Sequence, residues 1–326
     1  MIMHSFIGMF FIVYNQWGEM MTIVGAIDIG TNSTRLLVAE ISEAGKIRVL
    51  HSDMRTTRLG ENIRERVLLW PAMERTLEVL KKFIRDAVDL NVACVILAAT
   101  SAVRDAANKE EFISLIKRET GHEINILSGA EEARLSYLGV VSGLDNNYEQ
   151  VTVMDVGGGS TEFTWSAPKG LVFKSFNVGA VRMTESNDSY EQIYDNLSNQ
   201  IKLAGESLMP EETASLPTAL VGVGGTVTTM AAIRLGLRVY NPELVHGSKL
   251  NIGDVSAILN LLIGCDLEAR KQIYGLQPER ADIIIAGVRI VHCAMTILKQ
   301  AVITVSESDI LHGLALAAAN IVEIKL

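Results

Sequence analysis

Residues 153–163 read VMDVGGGSTEF, and this stretch decides the fold. An apolar run ends at Asp155, and Val156 leads into three consecutive glycines, Gly157, Gly158 and Gly159, followed by Ser160, Thr161 and Glu162. Glycine has no Cβ, so the backbone can turn tightly and bring its N–H groups close to an anion. Carboxylates beside a phosphate cradle hold a divalent cation or position water, because alone they would repel the phosphate. By itself the stretch reads equally well as a glycine-rich hairpin without a ligand, since short glycine patterns arise by chance. A second copy shifts that balance. Residues 28–35 read DIGTNSTR after the apolar run 23–27. Aligned on the aspartates, Asp28 matches Asp155, Gly30 matches Gly157, Ser33 matches Ser160 and Thr34 matches Thr161. One such unit in each half predicts a duplicated α/β fold with two phosphate loops facing a shared cleft. Arg35 stands where the other copy has Glu162, so one loop offers a cation to phosphate and the other an anion to metal or water.

The 326 residues make two domains the natural expectation, and 48% hydrophobic content supplies two cores. The net charge of −9 argues against a nucleic-acid binder, although a local basic cleft can still take a polyanion. Cys94, Cys265 and Cys293 lie far apart without a CxxC pairing, which reads as free thiols in a reducing cytosol. Residues 6–14 are apolar, but no Lys or Arg precedes Arg35 and the run is shorter than a membrane span. Residues 1–21 are therefore expected to be an extension outside the fold, or the product of a misassigned start, and a cytoplasmic protein without membrane contact is expected.

Strands are expected at 23–29, 35–41 and 47–51, then a helix over 72–89 after Pro71. Arg58 is the member of the basic stretch 55–66 expected to face a phosphate. The apolar run 92–98 is a buried strand, and Arg104 just beyond its carboxyl end is a candidate phosphate clamp, or else a surface ion pair. Gly121 should end a helix over 109–120. Ser128 should cap a helix to about residue 143, and capping is the ordinary role for Glu131 or Glu132 taken alone. The functional alternative is that one of the two projects into the cleft as a general base. Strands at 151–155, 161–165 and 171–177 repeat the first meander, and a helix is expected over 190–209. A third glycine turn, Gly224, Gly225 and Thr226, joins a strand to a helix, and a glycine-bearing helix start is a ready anion site. Arg280 is expected to open a long helix through residue 299, where the helix dipole disfavours a cation unless a ligand or carboxylate answers it. Asp309 should start the last helix. His246, His292 and His312 are isolated and expected to be structural.

Six motifs, DIGTNSTRLL, ATSAVRD, SGAEEARLSYLGV, DVGGGSTEF, GVGGT and PERADIIIAG, in this order and spacing, resemble the exopolyphosphatase/guanosine pentaphosphate phosphohydrolase family over about residues 22–320. The resemblance implies a duplicated actin-like ATPase (ribonuclease H-like) fold. Residues 22–128 would form the first domain, 129–307 the second, and 308–326 a helix packing back on the first. It implies Glu132 as the base activating water, with Glu162 and Arg104 also acting in catalysis. It implies Asp155, Glu162 and Asp28 as holders of Mg²⁺ (or Mn²⁺). The implied substrate contacts are Asn32, Ser33, Arg35, Arg58, Gly157, Gly158, Gly159, Ser160, Thr161, Gly224, Gly225, Thr226 and Arg280. The segment after Gly60 is compressed, and SDILHGLAL replaces a Gly-Leu-Arg-Glu-Gly pattern, placing His312 near the position of that arginine. The longer relatives' C-terminal HD-type domain is not expected here.

The expected reaction is hydrolysis of a terminal phosphoanhydride of inorganic polyphosphate or of guanosine pentaphosphate (pppGpp), by a monomer or homodimer. An ATP-dependent kinase or ATPase of the same fold is the competing reading, because phosphate loops alone do not separate the two. A non-catalytic polyphosphate or alarmone sensor is the third.

Overall fold

The computed structural model describes residues 12–14, 20–61, 65–144, 150–167, 170–203 and 218–319. Two six-stranded sheets organise them, and both follow one plan. In the first, β1 (Ile12–Tyr14) pairs antiparallel with the start of β2 (Met20–Ile29). β2, β3 (Ser33–Ser42) and β4 (Ile47–Thr56) form an antiparallel meander. β5 (Cys94–Ala99) and β6 (Ile124–Ile126) then add in parallel, giving the order β4-β3-β2-β5-β6. In the second sheet β7 (Gln150–Val156), β8 (Thr161–Ala167) and β9 (Gly170–Phe176) repeat the meander. β10 (Thr218–Val223) and β12 (Val302–Val305) add in parallel, and β11 (Lys249–Asn251) closes the edge antiparallel.

The helices follow from local signals. Pro71 opens α1 (Trp70–Asp89), where its missing N–H leaves no helical bond unmade. Short α2 (Ser101–Arg104) precedes α3 (Lys109–Thr120), which ends on Gly121 in the left-handed conformation (φ 75°), the C-terminal glycine expected. α4 (Gly129–Gly143) starts with a capping box between Ser128 and Glu131. The second half carries α5 (Ala180–Glu185), α6 (Tyr190–Leu203), α7 (Gly224–Leu235), α8 (Pro242–Val245), α9 (Ile252–Ile263), α10 (Leu267–Arg270), α11 (Ile284–Ile297) and α12 (Ile310–Ala318). The part of the expected helix beyond residue 203 lies outside the described residues, as does most of the N-terminal extension; its described residues, 12–14 and 20–21, do not lie outside the fold as expected but belong to the first sheet, because β1 finds backbone partners along the free start of β2. Arg280 does not open α11. It closes a 3-10 turn, Pro278–Arg280, and the α-helix begins only at Ile284.

Strand alternation buries both faces of the first sheet. Ile27, Ile29, Leu36 and Val38 face α1 and α3, while Val24, Ala26, Leu37 and Ala39 face α12 and Leu135 of α4. On the second sheet Met154, Val156 and Phe163 join the large core under α7, α9 and α11. Val151, Val153, Val221 and Val223 instead meet Val140 of α4. The α4–α12 pair is thus the apolar filling between the sheets. Its two backbones touch: a Cβ on Gly139 would overlap the Asp309 carbonyl, and one on Gly313 the Leu135 carbonyl. This brings the carboxyl ends of β2, β5, β7, β10 and β12 around one opening, where ligands of open α/β sheets bind.

Candidate active site

The first two glycine turns share a frame. Gly30 N–H donates to Ser33 O at 3.1 Å, and Gly157 N–H to Ser160 O at 3.0 Å. Asp28 lies directly opposite Arg35 across β2–β3, and Asp155 directly opposite Glu162 across β7–β8. Directly opposed residues of an antiparallel pair point to one face. The same register therefore yields an ion pair in one copy, with Arg35 Nη2 2.7 Å from Asp28 Oδ2, and two adjacent carboxylates in the other. None of Gly157, Gly158 and Gly159 adopts a left-handed backbone. Smallness matters more: a Cβ on Gly158 would lie 2.9 Å from Thr31 Cβ, so this glycine lets the two turns touch.

The third turn joins β10 to α7. Gly224 has φ 83°, and a Cβ there would also meet Asp155 Oδ1 at 2.8 Å, so glycine is required twice over. A Cβ on Gly225 would overlap the Arg280 guanidinium, which lies across the turn. Arg280 donates from Nε to Gln277 Oε1 at 3.1 Å and from Nη2 to Met54 Sδ at 3.6 Å. Among the described residues no carboxylate forms an ion pair with it. Burial, aided by the nearby Arg35 charge, pulls its pKa down to about 10. Between the three turns lies a cavity of about 800 Å³.

Acids line the same cavity. Glu131 is spent on the cap, its Oε2 accepting from Ser128 N–H at 2.8 Å. Glu132, one residue on, faces the cavity and accepts from Arg104 Nη1 at 2.8 Å. Burial raises the Glu132 pKa well above the usual carboxylate range, and the Glu162 charge adds to the rise against the pull of Arg104. Asp155 is raised to about 7, first by burial and then by Glu162 and Asp309. Its Oδ2 accepts from Ser136 Oγ, one turn along α4 from Glu132, at 3.2 Å. Glu162 accepts from Ser175 Oγ at 2.6 Å; burial raises its pKa as well. Arg35 also pairs with Asp309, which caps α12 by accepting from Leu311 N–H at 3.0 Å. Asp28 is raised by burial, partly offset by Arg35, and its buried Oδ1 has no hydrogen-bond partner. Among the described residues no three His, Cys, Asp or Glu side chains form a ready metal cage.

Glycine turns at strand ends, set against a wall of buried acids, can bind and cleave a phosphorylated ligand. A model of the Ppx/GppA phosphatase family matches residues 37–320. The chain belongs to the Ppx/GppA phosphatase family. It is 32% identical over 317 residues to exopolyphosphatase 2 of Mycobacterium tuberculosis, covering 92% of this chain and 99% of that one. It is 36% identical over 303 residues to a bifunctional 3-dehydroquinate synthase/phosphatase of Fusobacterium nucleatum, covering 88% of this chain but only 45% of that longer protein. The crystal structure of an Aquifex aeolicus Ppx/GppA family member superposes with a TM-score of 0.76 at 28% identity, covering 94% of this chain and all of that one. An exopolyphosphatase from Cytophaga hutchinsonii gives 0.82 at 25% identity, covering 93% and 99%. The fold is the duplicated actin-like α/β fold expected from the sequence.

In this Ppx/GppA phosphatase the cavity wall contains Asp28, Asn32, Ser33, Arg35, Glu132, Asp155, Gly157, Gly158, Ser160, Gly224, Gly225, Thr226 and Arg280. Five expected residues stand back from it. Glu162 is 2% exposed and lies beside Asp155 across β7–β8, held by Ser175. Thr161 is buried with its hydroxyl given to Val178 O, and the Gly159 carbonyl is taken by Arg182 Nε at 2.8 Å. Arg104 is occupied by Glu132 and by Leu127 O at 2.9 Å. Arg58 points across to Asp282, 2.8 Å away. Sequence reasoning missed Ser136, although the i, i+4 spacing from Glu132 puts it on the same helix face. It also missed the second role of Asp309, which was read only as a helix start, and the Tyr240–Glu307 hydrogen bond on the cavity wall.

Proposed function

We propose that this protein hydrolyses the terminal phosphoanhydride bond of inorganic polyphosphate, with pppGpp, cleaved to ppGpp, as a second substrate of the same chemistry. The observation that carries the reading is Arg280: a half-buried guanidinium with no carboxylate ion pair among the described residues, lying over a glycine turn in the cavity that Glu132 also lines. Such a cation is uncompensated until an anion arrives. The names of the Mycobacterium and Cytophaga relatives support polyphosphate as that anion.

Asn32, Ser33, Gly157, Gly158, Ser160 and the Gly224–Thr226 turn bind the phosphate oxygens, with Arg280 as the free cation. Glu132 takes a proton from water. The water oxygen forms a bond to the terminal phosphorus, the bridging P–O bond breaks, and the bridging oxygen leaves with the shortened chain. Arg104 holds the Glu132 carboxylate in place, and the burial that raises the Glu132 pKa makes it a stronger base than an exposed carboxylate. The carboxylates fit a divalent cation completed by substrate oxygens rather than a full protein cage. Mg²⁺ is commonly bound through one or two carboxylates plus substrate phosphates, and Asp155, with Glu162 beside it and the unpartnered Asp28 Oδ1 nearby, supplies that kind of set. Bound there, Mg²⁺ (or Mn²⁺) would offset charge that develops on the phosphoryl oxygens. The free thiols fit a reducing, cytoplasmic setting.

The test is orthophosphate release from long-chain polyphosphate, tripolyphosphate, pppGpp and ATP under Mg²⁺ or Mn²⁺. Release from polyphosphate without comparable release from ATP is the expected result. Turnover of ATP alone, with a phosphorylated acceptor seen by mass spectrometry, would replace the reading with a kinase. Tight binding without turnover of any substrate would replace it with a sensor.

A further inference from the structure

We infer that Arg58 does not bind substrate but is a positioning residue, a strut tying the first phosphate turn to the arginine over the third. The inference rests on the proposed phosphate chemistry for its kinetic arm only. Arg58 follows β4 and has a left-handed backbone, φ 49°, uncommon for a residue with a side chain. That conformation is fixed from the first turn: Asn32 O accepts from both Thr57 N–H (3.0 Å) and Arg58 N–H (2.8 Å), and Thr31 O accepts from Gly60 N–H (2.8 Å). From this base the side chain crosses to the other half. Arg58 Nη1 lies 2.8 Å from Asp282 Oδ2, and Nη2 donates to Glu279 O at 3.1 Å. Glu279 and Asp282 flank Arg280, which itself reaches back to Met54 Sδ at the end of β4. The buried Asp282 Oδ1 has no hydrogen-bond partner, so Arg58 is the one cation that pairs with this carboxylate among the described residues.

A continuous path therefore runs from Thr31 and Asn32 through Arg58 to the turn Pro278–Arg280, and on to the guanidinium over Gly225. Its two ends are the two sides that must grip one phosphate chain. A partly exposed ion pair contributes little stability, so the pair has little effect on the melting temperature. Its effect is on geometry, where a displacement of about 1 Å at a binding group can cost up to about a hundredfold in kcat/KM.

The experiment is a double-mutant cycle of Arg58→Ala, Asp282→Ala and the double variant, with kcat and KM measured on tripolyphosphate. A strut predicts that each single change raises KM about tenfold and kcat little. The double variant should be no worse than either, because both remove the same link. Arg58→Lys, which cannot fork to two acceptors, should rescue only in part. A direct phosphate contact predicts otherwise: Asp282→Ala would leave Arg58 free, and KM would stay or fall. That result, or additive losses in the double variant, overturns the strut. Hydrogen exchange at residues 277–284 gives a readout without substrate and should quicken in Arg58→Ala. If the wild type releases no phosphate from tripolyphosphate, long-chain polyphosphate or pppGpp, the functional reading fails, and unchanged exchange separately defeats the strut.

Discussion

Arg280 and Glu132 line one cavity, and each is shifted out of its ordinary ionisation range by burial. For Arg280 the consequence is ground-state affinity. Arg280→Ala should raise KM about 10- to 100-fold, the range for a hydrogen bond to a charged group, with a smaller effect on kcat. Gly225→Val should imitate it, since the new side chain takes the guanidinium's place while the fold is kept, and thermal melts beside the kinetics check that separation. For Glu132 the consequence lies in the chemical step: Glu132→Gln should lower kcat about 10²- to 10⁴-fold while substrate binding persists. Near-normal turnover in that variant would remove Glu132 as the base. At this scale the sequence was informative where spacing is local. It separated the two glutamates only into alternatives, because capping and catalysis want the same residue type in a first helical turn. It could not show that Arg104 and Glu132 pair, since 28 positions separate them and no periodicity links a strand end to the next helix but one.

α12 and α4 show how an element far along the chain, whose first residues line the cavity, is tied to the helix that carries Glu132. Asp309 caps α12 and also shares Arg35 with Asp28, so the last described helix is clipped to the first hairpin across 274 positions. Removing the cation would strand two carboxylates that are each 5% exposed. Arg35→Leu should therefore destabilise the protein by about 3 kcal/mol in urea unfolding. The close contact of α4 and α12 makes a second case. Gly313→Val should push α12 off the Leu135 carbonyl and loosen the helix that carries Glu132, lowering both melting temperature and kcat. Caps, the C-terminal glycine and the alternating strands were legible because they are written within a few residues. Where the 3-10 turn replaces the first turn of the expected long helix, the sequence carried only Pro278 as a warning, and the packing of Arg280 over Gly225 is a tertiary fact.

The molecule as a whole concentrates several buried acids around one opening, and this sets its response to pH. Burial raises Asp28, Glu132, Asp155 and Glu162, with Asp155 going from 3.8 to about 7. An acid raised in the folded state keeps a proton that the unfolded chain has lost, so it contributes stability below its unfolded pKa and loses it as pH climbs through the folded one. Metal-free protein should thus melt at a higher temperature near pH 5.5 than near pH 8, with the fall centred between about 4 and 7 for Asp155. Asp309 acts oppositely: burial alone would raise its pKa, but Arg35 and His312 together outweigh that and hold it down, so its contribution is lost as the pH falls into strong acid. Millimolar Mg²⁺ should restore the melting temperature at pH 8 and do little at pH 5.5, because a ligand that binds only the folded form stabilises it. A melt that is flat with pH, or indifferent to Mg²⁺ at pH 8, would contradict this. The duplicated architecture was legible in the sequence because repetition survives as pattern.

The shared register of the two hairpins carries one more implication. Position for position they are the same device, yet in one the facing residues cancel and in the other they add. In the first, Arg35 lies against Asp28 within the chain. The second sets two like charges side by side, the arrangement that the proposed cation would offset. Reversing a single sign, as in Arg35→Glu, would leave both lobes unsettled and should turn a cleft that asks for one guest into one that demands two.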